Sequence, residues 1–364
     1  MKREYIDTED FAERLGQEVR DVFLVESSSS APQGRGIMLV GKLLRDAETA
    51  FTLLETRFGR YGFMPLFRRR EGRDIIFAYP APVQAKRSRP WINLLLLLAT
   101  IGTTLFAGAL GEDVNPLEDW RHLSKGIPFA FALLTILGAH ELSHYLVSKR
   151  HGMKVTLPYF IPSPFTFMGT FGAFIRMESP ARNRKTLFDV GLAGPLAGLV
   201  LAIPFLAIGL KHSAVVPSRA MGGITLGAPL LVEWIARAIL GPLDDRLTVL
   251  LHPMAFAGWL GLYVTALNLL PIGQLDGGHV GFALLGRSFK PVALSTLLAL
   301  AVLGITMWPG WLTWVVLAFA VLGIDHPLPL DGISGLDARR KVIGIFAFGL
   351  FFLIFTPAPF GASF

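Results

Sequence analysis

From residue 91 onward the sequence consists largely of apolar runs, and several reach the roughly 20 residues needed to cross a hydrocarbon core. The clearest are WINLLLLLATIGTTLFAGAL (91–110), a run at 127–148, LFDVGLAGPLAGLVLAIPFLAIGL (187–210) and a run at 252–271. Three shorter runs follow at 292–308, 310–324 and 342–357, with Pro309–Gly310 placing the first two in a tight hairpin. Residues 222–240 are apolar but carry Glu233 and Arg237, which suits an interfacial or re-entrant segment. Only 17% of the 364 residues are charged, against about a quarter in a soluble domain. The expectation is a polytopic α-helical membrane protein of about seven spans.

Residues 1–85 have a different texture and read as a small soluble α+β domain. Apolar residues at Phe11, Leu15, Val19 and Phe23 have helical spacing, with Thr8 as N-cap, so a helix is predicted over 8–23. Ser27 to Gly34 reads as a loop, Gly36 to Leu44 as a strand and Ala47 to Phe58 as a second helix. Two further strands, Phe63–Arg69 and Asp74–Tyr79, are joined at Glu71–Gly72.

Lys and Arg in short loops set orientation. Lys86, Arg87 and Arg89 precede the first span and place the N-terminus inside. The loop after the second span carries Lys149, Arg150, Lys154, Arg176, Arg182, Arg184 and Lys185 against one acid, Glu178, and is also inside. Arg287 and Lys290, then Arg339 to Lys341, mark two more inner loops, so seven alternating spans satisfy every basic loop. The first residues, MKREYIDTED, resemble neither a signal peptide nor a transit peptide. A bacterial inner membrane is the simplest home, with the N-terminus and active site towards the cytoplasm; a plastid membrane is the other candidate. No nucleic-acid-binding motif accompanies the net charge of +7. The expected partners are the lipid bilayer and transmembrane protein substrates, and the sequence gives no oligomeric state.

The chain has no cysteine, so a transition metal must be held by His, Asp or Glu. His140-Glu141-Leu142-Ser143-His144 is an H-E-x-x-H pattern inside an apolar span. On a helix, positions i and i+4 share a face, so both imidazoles can bind one zinc ion, with Glu141 beside them to take a proton from its water. Ionisable groups at membrane depth are expensive and mark function. A third ligand must come from the inner end of another span. Asp189 and Asp276 both qualify. Asp276 is favoured because Pro271 and Gly273 break the helix before it, and Gly277 and Gly278 allow close backbone approach.

HELSH within a span, followed much later by Asn268-Leu269-Leu270-Pro271-Ile272-Gly273-Gln274-Leu275-Asp276-Gly277-Gly278, resembles the site-2 protease family of intramembrane zinc metalloproteases. The similarity covers about residues 127–280. It implies a three-span catalytic core, one Zn2+ per chain held by His140, His144 and Asp276, and Asn268 close to the active site as a substrate- or intermediate-steadying group. Asp189 to Pro195 is similar to the family's small-residue segment on the middle core span. Close helix packing through Gly191, Gly194 and Gly198 fits the same residues. Gly169, Thr170, Phe171 and Gly172 fall in the loop where the family carries a β-hairpin-like element, whose edge would pair with an unwound substrate segment. An N-terminal soluble domain in place of a PDZ-like insertion is similar to the plastid and cyanobacterial branch.

The implied activity is peptide hydrolysis in or next to transmembrane helices of other proteins, that is, regulated intramembrane proteolysis. A membrane metal-ion transporter or sensor, and an inactive scaffold that binds membrane helices, are the rival readings. The division expected is a soluble domain at 1–85, a first span and outer loop at 86–126, a catalytic core at 127–280 and C-terminal spans at 281–364. Asp325-His326-Pro327 and Leu330-Asp331-Gly332 are expected as turns of an exposed loop.

Overall fold

The computed structural model describes residues 15–31, 36–81, 89–218, 223–244, 246–323 and 326–363. Thr8, Phe11, Lys86, Arg87 and Asp325, singled out above, lie outside them. The chain divides into two compact units.

The sheet unit is built from the N-terminal region together with Pro180–Leu187 and Leu328–Asp337. Its strands are β1 (Phe23–Ser30), β2 (Ile37–Leu43), β3 (Phe63–Arg70) and β4 (Arg73–Pro80), antiparallel in the order β1-β2-β4-β3. Helix α1 (Ala47–Gly59) is capped by Asp46, whose carboxylate accepts from Thr49 N at 2.9 Å. It buries Ala50, Phe51, Leu54 and Phe58, a helical stripe that meets Ile37, Leu39, Phe67 and Ile76 of the sheet. Glu71 and Gly72 both have positive φ, as the two-residue turn between β3 and β4 requires.

Two expectations for this unit are corrected. The first helix does not reach Phe23: residues 15–19 are helical, while Phe23 opens β1 opposite Leu43. The serine run predicted as loop is mostly strand, because Ser27 to Ser30 pair with Val40 to Ile37 of β2, and that ladder overrides the turn preference of serine. Asp331 is not in an exposed loop either. It is buried, forms a parallel bridge with Phe67, and its Oδ1 accepts from Ile333 N (2.9 Å) and Ser334 N (3.0 Å).

The helical unit contains α2 (Pro90–Leu110), α3 (Ile127–Arg150), β5 (Tyr159–Pro162), β6 (Thr170–Phe174) and α4 (Arg184–Lys211, its first turn counted with the sheet unit). There follow β7 (Ala214–Pro217), β8 (Gly223–Leu226), α5 (Leu230–Leu240), β9 (Leu247–Leu250), α6 (Pro253–Asn268), α7 (Asp276–Leu285), α8 (Phe289–Thr306), α9 (Gly310–Leu317), α10 (Ala338–Ile354) and β10 (Phe360–Ser363). Among the described residues, four helical stretches are long and apolar enough to cross a membrane: α2, α3 with the 3-10 turn before it, α4, and α7 running on through α8. Helices α6 and α10, at 16 and 17 residues, are shorter. Small residues let α4 and α6 touch backbone to backbone, Gly209 against Ala255 and Gly258 against Leu206. His326, expected in an exposed turn, is buried: its ring stacks on Phe282 and its Nε2 lies 2.5 Å from His279 Nδ1.

Candidate metal centre

Helix α3 carries His140, Glu141 and His144, all buried. One turn of helix brings the two imidazoles edge to face, with centroids 4.7 Å apart and Nε2 atoms 3.1 Å apart. Asp276 arrives from the other side of the core. Helix α6 stops at Asn268, Pro271 prevents its continuation, and the chain turns back to start α7 at Asp276. The turn is tight enough that a Cβ on Gly277 would collide with Leu269 O, so glycine is required. Asp276 Oδ2 then lies 3.2 Å from His140 Nε2 and 3.3 Å from His144 Nε2.

The three donor atoms form a nearly equilateral triangle. Donors of a tetrahedral zinc with bonds of about 2.0–2.2 Å stand roughly 3.3 Å apart, so the spacing fits zinc and leaves a fourth position for water or substrate. Among the described residues, His140, His144 and Asp276 are the group close enough to share one ion. Helix α4 supplies the wall. A Cβ on Gly194 would overlap His144 Nε2 and stand 2.7 Å from His140 Nε2. A Cβ on Gly191 would run into His279 Cβ, and one on Gly198 would stand 3.4 Å from His140 Nδ1. The small residues of this helix therefore make room for the two imidazoles as well as for helix packing, which their spacing alone did not reveal.

The neighbours set orientation. His144 Nδ1 lies 2.8 Å from Val190 O, and a carbonyl only accepts, so Nδ1 carries the proton and the Nε2 lone pair faces the metal position. Pro195 has no N–H to offer the Gly191 carbonyl four residues back. Asn268 Nδ2 lies 3.3 Å from His140 Nε2, at the rim of the triangle. Asp189, the rival third ligand, is engaged elsewhere: Arg340 grips it with two bonds of 2.7 Å and His151 Nε2 lies 3.0 Å away. Gly169 sits at the turn into β6, and Thr170 to Gly172 belong to that strand, which pairs with β5. Val190 O and Arg340 had no sequence signal. A carbonyl is independent of residue type, and Arg340 is separated from Asp189 by 151 positions.

Residues 128–308 match Peptidase family M50. The chain is 29% identical over 360 residues to the probable zinc metalloprotease EGY2, chloroplastic, of Arabidopsis thaliana, covering 93% of this chain and 63% of that protein. It is 30% identical to the protein of the same name in Oryza sativa subsp. indica, covering 94% of this chain and 65% of that one. With the probable zinc metalloprotease EGY1, chloroplastic, of Arabidopsis thaliana it shares 34% identity over 65% of this chain and 44% of the relative. The chain thus spans less than two thirds of the length of these relatives.

Proposed function

The chain carries a peptidase family M50 domain, that of the site-2 proteases, and from that premise we propose that it is a zinc metalloendopeptidase cutting peptide bonds in or next to transmembrane helices of other proteins. The observation that carries this reading is the buried triangle of His140, His144 and Asp276 with Glu141 adjacent on the same helix. Zinc, when bound there, supplies a Lewis acid that acidifies water and polarises a carbonyl. Glu141 takes the proton of the attacking water and returns it to the leaving amine. Asn268 offers its amide N–H to the oxygen that gains charge. Backbone groups of residues 169–172 and β6 receive the unwound substrate as an added strand, because a helical peptide bond is shielded until it is extended.

Seven spans, with α6, α8, α9 and α10 joining the first three, and an inner-side N-terminus and active site are part of the same proposal. The basic flanking loops support them. So is the division at residues 85, 126 and 280. The membrane is that of a bacterium or of a plastid, and the chloroplastic relatives favour a plastid-type enzyme.

The test is Glu141→Gln beside wild type, both purified in detergent, with bound zinc and cleavage of single-span substrates measured. Both forms should hold about one zinc, and the variant should cut at least about 100-fold more slowly, the lower bound for losing a general base. Cleavage by the variant at the wild-type rate would overturn the role of Glu141. Absence of metal from both would overturn the zinc site. Zinc in both with no cleavage by either would favour a metal transporter or a helix-binding scaffold.

A further inference from the structure

Asp189 lies at the meeting point of three helices. It sits near the start of α4, one residue before the carbonyl that receives the His144 proton. Arg340, in the first turn of α10, holds both of its oxygens, Nε to Oδ1 and Nη2 to Oδ2, each at 2.7 Å. His151, the residue that ends α3 seven positions after His144, approaches Oδ2 at 3.0 Å. The side chains of all three are only 23–29% exposed. A two-pronged guanidinium–carboxylate pair fixes angle as well as distance, which a single ammonium contact does not.

The α3 end, the α4 start and α10 are thereby tied at one carboxylate. The link to the metal runs through a single peptide: a rotation of α4 about its axis moves Asp189 and Val190 O together, and Val190 O sets the tilt of the His144 ring. Arg340 lies beyond residues 128–308, the stretch that matches the protease family, so α10 reaches back to a residue within that stretch.

We propose that Arg340 and Asp189, with His151, are positioning residues for the metal centre: they lock α4 against α3 so that Val190 O holds His144 in its ligating orientation. The inference rests on the zinc reading above. Loss of an outer partner of a zinc-bound histidine lowers metal affinity or activity by about 10- to 100-fold.

The full chain in lipid nanodiscs is loaded with zinc, and its rate of zinc loss to a chelator is followed for wild type, Arg340→Gln, Asp189→Asn, Arg340→Lys and, as control, Lys341→Gln. Zinc loss should accelerate at least about 10-fold in Arg340→Gln and Asp189→Asn, less in Arg340→Lys, and not in Lys341→Gln. Cobalt-loaded samples, each measured well below its own thermal midpoint, should show a shifted visible d–d band in the first two variants, which a loss of general stability would not produce. Wild-type zinc loss and an unshifted band in Arg340→Gln and Asp189→Asn overturn the proposal. Should Arg340→Gln not fold, Asp189→Asn, which keeps the side-chain shape, decides by the same thresholds. Failure of wild type itself to hold zinc defeats the metal reading instead, so the two failures are distinct.

Discussion

Beside His140 and His144, Gly194 leaves open a space that a single methyl group would fill. In an exposed helix interior, replacing glycine by alanine stabilises by about 0.5–1 kcal/mol. At Gly194 the same methyl would occupy the space between His144 Nε2 and His140 Nε2. Gly194→Ala should therefore keep its helix and lose its metal, with zinc by elemental analysis well below one per chain and cleavage reduced at least about 100-fold. Full zinc occupancy in this variant would show that α4 does not wall the site. That His140, His144 and Asp276 would come together was legible in the sequence, because an i, i+4 histidine pair and a proline-broken turn announce their chemistry through side-chain type and spacing. The choice between Asp276 and Asp189 was not closed by spacing, since both stand at inner helix ends. In the structure Asp276 stands beside both histidines while Asp189 is held by the Arg340 fork, contacts made only in three dimensions.

At the scale of elements, the β5–β6 hairpin rests on α2. Asn93, buried on that helix, donates from Nδ2 to Leu157 O (3.0 Å) and Pro158 O (2.9 Å), pinning the chain as it enters β5. Gly169 has φ of +72°, and a Cβ there would run into Thr103 O and lie 2.6 Å from Thr104 Cα. Gly169→Ala is strained in backbone and in space, so it should lift the hairpin off α2. With the hairpin as the substrate-receiving edge, cleavage should fall at least about 10-fold while zinc content stays near one per chain. An unimpaired cleavage rate would remove the hairpin from substrate binding. Strands of four and five residues leave no long alternation to read, which is why the hairpin was expected here only from the family resemblance. The long helices α2, α3 and α4 were visible because a bilayer demands about 20 apolar residues in a row.

Over the whole molecule, the sheet unit is assembled from three separated stretches of chain. Leu330 O accepts from Phe67 N at 2.9 Å and Phe67 O from Gly332 N at 3.1 Å, extending the sheet at the β3 edge. Ala181 O and Arg182 O accept in turn from Leu330 N and Asp331 N. Arg68 Nη1 binds the carbonyls of Pro329 and Leu330 at 2.9 and 3.2 Å. Removing the buried Asp331 carboxylate leaves two backbone N–H groups without their acceptor. Asp331→Ala should destabilise the sheet unit by about 1–3 kcal/mol, read as faster hydrogen exchange at β3, with zinc content unchanged. Unaltered exchange at β3 would mean that this segment adds nothing to the sheet. Nothing in the sequence marked 328–337 as part of an N-terminal fold, because its pairing is long-range and its local composition is that of a turn. The order of synthesis gives this layout a consequence in time. The ribosome delivers β3 early, and domains ordinarily close as they emerge. Here the outer edge of β3 stays open until helices α2 to α9 have been made, so a chain that stalls in the membrane before then exposes an unpaired strand to the cell's proteases.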